Sequence, residues 1–560
     1  MSDTNSPSVP LTVSQGIVRF LEAQGIARVY GVPGESYLGV LDALYDSDID
    51  FINARQEGGA AMMAEASGKL TGRPGVCIVT RGPGATNASA GVHIAQQDST
   101  PMLLFVGQIS REFVGRDAFQ ELDYKQFFGG MAKAVLTLDR ASRTIELMSR
   151  AWSLAMSGRP GPVVIELPED VLGEVIDASG SCLSKNLRRP NPLTPALAFD
   201  QAADLVNMLS QAERPIAIVG DMGSLHGDEQ AHMMLDRLGM PVVASFRRQG
   251  HAGPWLTNYA GDLGLGPNPQ LVMRVQQSDL VLLLNAPVSE IPSQGFTWTP
   301  GANGQRVVQI LPSADELGRW YTADFAMVGS PAAILSALVN QSFAPREEWD
   351  AWTEEARQDF VNWAQSTPSN PGPVQMVDLV RALQQRMPEA IMCNGAGNYA
   401  SWLHRFWPYC PGGQLAPTSG SMGYGLPAAI AAALEKPDRD VVCWAGDGCL
   451  QMTIQELATA AERRLPILVL VIDNGMYGTI RMHQERHFPA RVSGTSINNP
   501  DFTKVAAGYG WHVEKVTQTE AFEPALAASQ EHCGPSLIHV LLDPEAISPT
   551  KTLSDIRANS

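Results

Sequence analysis

Two oxygen-bearing side chains, Asp447 and Asn474, each close an apolar run short enough to be a buried strand. The first run reads Val441-Val442-Cys443-Trp444-Ala445-Gly446-Asp447-Gly448, and the second reads Pro466-Ile467-Leu468-Val469-Leu470-Val471-Ile472-Asp473-Asn474. Between them Ile454, Leu457, Ala458 and Ala461 recur at the spacing of one helix face. The pattern predicts a strand–helix–strand unit with both side chains at carboxyl ends of parallel strands, the edge where open α/β sheets collect ligands. A carboxylate and an amide oxygen beside glycine-rich backbone suit Mg²⁺ carrying a diphosphate. Such an ion takes hard oxygen ligands, few from the protein and the rest from phosphate and water.

The rest of the chain supplies the elements that would position this edge. An amphipathic helix is expected over residues 14–25 and strands over 29–32, 49–53, 75–80, 101–107 and 162–167, with an Ala/Met-rich helix over 60–70. The stretch from Gly82 to Asn87 reads as the turn ending the third of these strands. Residues 181–196, rich in Ser, Asn, Arg and Pro, read as a linker. A second α/β unit follows, with a helix near 196–209, strands over 215–220, 241–245, 279–285 and 306–310, and a last helix over 331–339. Gly220-Asp221-Met222-Gly223 is not the G-x-G-x-x-G dinucleotide fingerprint, so NAD is not expected there. A Trp-rich helical segment at 347–365 and residues 367–373 form a second linker. The third unit carries a helix over 373–386, strands over 390–394 and 536–542, an Ala-rich helix ending at Leu434, and a polar tail after Asp543 lying over the surface. The expected architecture is three doubly wound parallel-sheet α/β domains at 1–180, 196–345 and 373–560, without a strict sequence repeat.

Composition narrows the functional class. The 560 residues are 44% hydrophobic and 18% charged, ordinary for a globular protein with large cores. A formal net charge of −18 argues against a nucleic-acid partner, which needs a basic surface. No run is long enough for a membrane span, and residues 1–10 lack the apolar core of a secretory signal. The seven cysteines show no metal spacing and read as reduced thiols of a cytoplasmic protein.

Gly446-Asp447-Gly448, followed after twenty-five residues by Asn474, resembles the thiamin diphosphate (ThDP) binding motif. The resemblance runs through the whole chain. It is carried by Tyr30-Gly31-Val32-Pro33-Gly34, Gln56-Glu57-Gly58-Gly59-Ala60-Ala61, Gly82-Pro83-Gly84-Ala85-Thr86-Asn87, Asp117-Ala118-Phe119-Gln120-Glu121, Met422-Gly423-Tyr424-Gly425-Leu426-Pro427-Ala428-Ala429 and Ile454-Gln455-Glu456-Leu457-Ala458-Thr459-Ala460. Together these resemble the large subunit of acetolactate synthase and its relatives. The resemblance implies pyrimidine-binding, central and diphosphate-binding domains, and an active site between two subunits, hence at least a homodimer.

It also implies roles. Asp447, Asn474 and the Met476 carbonyl would ligate Mg²⁺. Gly397, Asn398, Gly448, Cys449 and the Tyr477-Gly478 backbone would hold the diphosphate, with Cys449 a small side chain against phosphate rather than a nucleophile. Glu57 matches the activating glutamate: a carboxyl hydrogen-bonded to the cofactor's pyrimidine favours the imino tautomer that removes the thiazolium C2 proton. Met422 resembles the bulky residue that bends the cofactor, a positioning role. Phe119 and Gln120 match positions lining the family's active site. Arg81 stands where a small residue is common and is either a bidentate partner for a substrate carboxylate or a surface ion pair. His483 replaces the tryptophan of the substrate-recognition segment and is either an acid–base group or, like His487, an exposed helix residue.

The chain also departs from the pattern. Where the family carries Gly-Ala-Arg-Phe-Asp-Asp-Arg, this sequence reads Asn285-Ala286-Pro287-Val288-Ser289-Glu290-Ile291. The arginine that would help hold a second 2-oxo acid is missing, as is a segment that touches FAD, so FAD stays open. The paired histidines of pyruvate decarboxylases are not visible in the first domain. The expected function is decarboxylation of a 2-oxo acid with ThDP and Mg²⁺, then transfer of the remaining fragment to a carbonyl acceptor. The alternatives are a ThDP-dependent decarboxylase or lyase of another 2-oxo acid or diketone, and a non-catalytic ThDP-binding scaffold or regulator.

Overall fold

The computed structural model describes residues 11–176, 199–223, 229–341 and 343–559. The expected linker at 181–196, the first ten residues and Cys182 lie outside them. The described residues fall into two compact units, divided between residues 192 and 193.

The first unit is built on one six-stranded sheet. In spatial order its strands are Asp50–Asn53, Arg28–Gly31, Gly75–Val79, Met102–Gln108, Pro162–Pro168 and Ala134–Thr137, all parallel. The central strands are buried throughout, as their unbroken apolar runs require when helices cover both sheet faces. The first helix, Val13–Ala23, starts at a capping box: the Thr12 hydroxyl accepts from Gln15 N at 3.3 Å, and Gln15 Oε1 accepts from Thr12 N at 3.0 Å.

Two sheets form the second unit. The central one runs Phe325–Val328, Arg306–Leu311, Leu280–Leu284, Pro215–Val219, Val242–Ala244, Tyr259–Asp262. Read from its other edge this is the 3-2-1-4-5-6 order of doubly wound dinucleotide folds, despite the missing fingerprint. The segment expected to be a linker contributes to this core: Trp349 is fully buried among its strands, and the helix Asp350–Gln365 follows. The last sheet runs Gln414–Leu415, Ile391–Asn394, Val441–Gly446, Ile467–Asp473, Ser536–Leu541, His512–Val516. Numbered within its own unit, this order is identical to that of the first sheet, so two domains without a sequence repeat share one topology.

Three expectations changed. Gly82 to Asn87 begins a helix, Gly82–Asp98, with Pro83 in its first turn. The face at 454–461 is a short 3₁₀ turn, Ile454–Glu456, running into the helix Leu457–Glu462. The polar tail ends in a helix, Leu553–Ala558, whose Leu553 and Ile556 are buried with Ile547 against Met482. Among the described residues no helix is long and apolar enough to cross a membrane.

Candidate active site

In the last sheet the strand order reverses between Ile391–Asn394 and Val441–Gly446, which makes their carboxyl ends the switch point where such sheets bind ligands. A cavity of about 490 Å³ opens there. Its lining includes every residue expected to hold the cofactor or its metal: Gly397, Asn398, Met422, Asp447, Gly448, Cys449, Asn474, Met476, Tyr477 and Gly478. Asp447 sits in the first turn of a short helix, Asp447–Gln451, directly after its strand, and is 3% exposed. Asn474 follows the neighbouring strand by one residue.

The walls of this cavity need glycine. Gly397 has φ +145°, and a Cβ on it would lie 2.5 Å from the Tyr399 ring. A Cβ on Gly448 would lie 2.8 Å from the Tyr477 ring. Both positions therefore present bare backbone, which lets a phosphate approach closely. Asn398 is held by the helix Gly478–His487, accepting from the Thr479 hydroxyl at 2.8 Å.

Asp447 is not isolated. The Asn499 side-chain amide donates to Asp447 Oδ2 and to Asp473 Oδ1, each at 2.7 Å. His539 Nε2 lies 2.8 Å from Asp473 Oδ2. Burial raises the Asp447 carboxyl well above the ordinary range, against the lowering hydrogen bonds of Asn499 and Gly448 N. Asp473 is also desolvated, but hydrogen bonds from His539, Asn499 and Gly475 N hold it low. A buried carboxylate whose charged form is disfavoured is suited to a cation. Among the described residues no three His, Cys, Asp or Glu side chains could enclose a metal. The oxygens of Asp447, Asn474 and Met476 are the set that Mg²⁺ accepts when phosphate and water complete its shell. The residues therefore fit Mg²⁺–ThDP.

Cys449 accepts hydrogen bonds from the Tyr399 hydroxyl at 3.1 Å and from Gly423 N at 3.2 Å. Burial raises its thiol, which does not favour a nucleophilic thiolate.

Sequence reasoning missed Asn499, Tyr399 and Arg247. The buried Arg247 lines the cavity from the central domain in a left-handed conformation, φ +57°. Its guanidinium donates to Gly395 O at 3.0 Å and to Pro417 O. It ties together the starts of the loops carrying Gly397-Asn398 and Met422. Glu290 and Ile291, from the departing segment, also line this cavity. That segment begins with Asn285, at φ +46°, whose side chain donates to Asp221 O at 2.7 Å and so stitches two strand ends at the central switch point.

In the first unit, Glu57 opens the helix Glu57–Thr71. The Gln56 side chain caps it, accepting from Gly58 N at 2.6 Å and Gly59 N at 3.1 Å. The helix Gly82–Asp98 packs closely against it: a Cβ on Gly91 would meet the Ala61 Cβ at 2.4 Å. One turn earlier Asn87 donates to Glu57 Oε2 at 2.9 Å.

Arg81 is buried and ion-paired with the exposed Glu35 at 2.6 Å and with Glu169 at 3.6 Å. Gln120 adopts φ +64°, and its carbonyl accepts from Gly82 N at 3.1 Å, bringing the 117–121 loop beside Arg81. The Phe119 ring in that loop is 73% exposed. His483 does not line the cofactor cavity. It is exposed, its ring parallel to that of His487 at 6.3 Å, and burial and then Arg486 depress its pKa.

Comparison with known proteins accords with this geometry. Residues 11–127 match the N-terminal TPP binding domain of thiamine pyrophosphate enzymes, 202–338 the central domain and 395–540 the C-terminal TPP binding domain. The chain is 31% identical over 539 residues to the acetolactate synthase isozyme 2 large subunit of Escherichia coli (strain K12), covering 95% of each. It is 30% identical to the acetolactate synthase large subunits of Parasynechococcus marenigrum (96% of this chain, 88% of the relative) and Corynebacterium glutamicum (93% and 85%). With three matching domains on three sheets and a glycine-walled cavity at the last switch point, the chain belongs to the thiamine pyrophosphate enzyme family.

Proposed function

We propose that this protein is a ThDP- and Mg²⁺-dependent enzyme that decarboxylates a 2-oxo acid and joins the remaining fragment to a carbonyl acceptor, as an acetolactate synthase does. The observation that carries this reading is the convergence of Asp447, Asn474, Met476, Gly448 and Met422 on one cavity. In this reading residues 1–180 hold the pyrimidine, 196–345 form the central domain and 373–560 hold the diphosphate. Each active site then forms between two copies of the chain, in the cytoplasm.

Asp447 and Asn474 would hold Mg²⁺ through side-chain oxygens and Met476 through its carbonyl. Gly397 and Gly448 give the phosphates access to backbone, and Met422 limits how far the bound cofactor can extend. Bound ThDP would supply an acidic C2–H and an electron sink for the pair left when CO₂ departs. Glu57 would exchange a proton with the pyrimidine of the bound cofactor. Asn87, donating to Oε2, would hold that carboxyl in place.

A second reading, decarboxylation or C–C cleavage with a different partner, is favoured by Glu290 and Ile291 lining the cavity where the family would place an arginine-bearing segment. FAD stays open in either reading, and whether the purified protein is yellow or colourless decides it. Glu57 speaks against a non-catalytic scaffold, which would bind ThDP without C2-proton exchange by NMR. The deciding experiment is Glu57→Gln. Turnover should nearly vanish while folding and ThDP binding persist, and unchanged turnover would overturn the mechanism.

A further inference from the structure

Beside the cofactor cavity lies a second cavity of about 430 Å³, and Leu265, Asn398 and Thr479 line both. Three cations reach the second cavity from three elements: Arg405 from the helix Ala400–Phe406, Arg486 from the helix Gly478–His487, and Lys551 from the segment before the last helix. Acidic side chains outnumber basic ones in this chain, 58 to 40. Yet among the described residues none of these three cations is in an ion pair within 4.0 Å. The acids near them are Asp555, whose carboxylate Lys551 influences, and Asp262, which lines the cavity. Asp262 is half-buried, and desolvation pushes its carboxyl up to about 7, so its negative charge is weakened near neutral pH.

Arg405 is held ready for a ligand. Its guanidinium lies 3.4 Å from the centre of the Trp363 ring, and it donates to Trp363 O at 3.3 Å and to the Ser366 hydroxyl at 2.8 Å. Those bonds use Nε and Nη2, leaving Nη1. Ser401 and Ser548 line the same cavity but donate their hydroxyls to Asn398 O at 2.6 Å and Lys551 O at 3.0 Å, whereas His404 contributes a buried Nε2 that has no hydrogen-bond partner among the described residues.

We propose that this cavity binds a phosphate-class anion, held by Arg405, Arg486 and Lys551, next to the reaction cavity. Three cations converging from three elements, none in an ion pair among the described residues, match a dianion of tetrahedral oxygens. The anion is either the phosphate end of an elongated substrate, a possibility that rests on the proposed function, or a separate phosphate ligand.

The test uses the whole protein saturated with ThDP and Mg²⁺, so that the diphosphate site is occupied. Glycerol 3-phosphate is titrated by calorimetry, with glycerol as the uncharged comparison. Wild type should bind the phosphate ester and not glycerol, and Arg486→Gln and Lys551→Gln should each weaken binding about tenfold or more. Arg143→Gln, which alters an exposed pair with Glu146, should leave binding unchanged. Absence of binding to wild type, or equal binding by an Arg486→Gln/Lys551→Gln double variant of native circular dichroism, would overturn the proposal. A second arm compares glyceraldehyde with glyceraldehyde 3-phosphate as acceptors. A selective loss of kcat/KM for the phosphorylated one in Arg486→Gln identifies a substrate tail. Lost binding with unchanged preference identifies a separate ligand. If neither aldehyde reacts, the calorimetry alone decides the site.

Discussion

Asn87 donates its side-chain amide to Glu57 Oε2 at 2.9 Å, across two helices that a glycine, Gly91, lets approach closely. One carboxyl oxygen is thereby fixed and the rotamer of the acid with it. Asn87→Ala should lower kcat about 10- to 100-fold through misplacement of Glu57, with ThDP affinity nearly unchanged. Steady-state kinetics beside a ThDP titration checks the split. A loss confined to ThDP affinity would show that Asn87 does not act through Glu57.

Asn499 bridges Asp447 and Asp473, and its removal leaves two nearby carboxylates without their shared donor. Asn499→Ala should weaken Mg²⁺-dependent ThDP binding about 10- to 100-fold, the usual cost of losing a partner that orients a metal ligand. Fluorescence titration with ThDP at fixed Mg²⁺ measures it.

Arg247 ties Gly395 O and Pro417 O together. A lysine is a point charge and cannot reproduce the planar fork that reaches both carbonyls. Arg247→Lys should therefore raise the Kd for ThDP about tenfold, with a smaller fall in kcat at saturating cofactor.

Glu485 fastens the C-terminal helix to the helix carrying His483. Arg557 grips its carboxylate twice, at 2.8 and 2.9 Å, and Arg481 Nε lies at 3.1 Å. The Arg557 hydrogen bonds lead in lowering the Glu485 pKa to about 2, against its desolvation. An acid lowered in the folded state contributes its stability fully above its unfolded pKa, about 4.3, and loses it as pH falls through about 2. Hydrogen exchange should show the 553–558 helix opening between these values. Glu485→Gln should open it at neutral pH, at a cost of about 2 kcal/mol.

The central strands of all three sheets were legible because a parallel strand covered on both faces must be an unbroken apolar run, as in Val441–Gly446 and Ile467–Asp473. Ala134–Thr137, Tyr259–Asp262, Phe325–Val328, Gln414–Leu415 and His512–Val516 escaped notice: they are edge strands, short or partly exposed, and carry no long apolar run. The helix at Gly82 was hidden by Gly-Pro-Gly, although proline in a first turn is itself a start signal. At the site, Asp447 and Asn474 announced themselves by ending strands. Asn499 and Arg247 did not, because one reaches Asp447 and the other reaches the cavity from distant stretches, and only tertiary packing reveals what they hold.

The central claim is tested most directly by incubating the purified protein with ThDP, Mg²⁺ and a panel of 2-oxo acids, with and without carbonyl acceptors, while following CO₂ release and identifying products by mass spectrometry. The expected result is CO₂ release that requires ThDP, Mg²⁺ and Glu57, with a ligated product when an acceptor is present. Binding of ThDP without CO₂ release from any 2-oxo acid would contradict it.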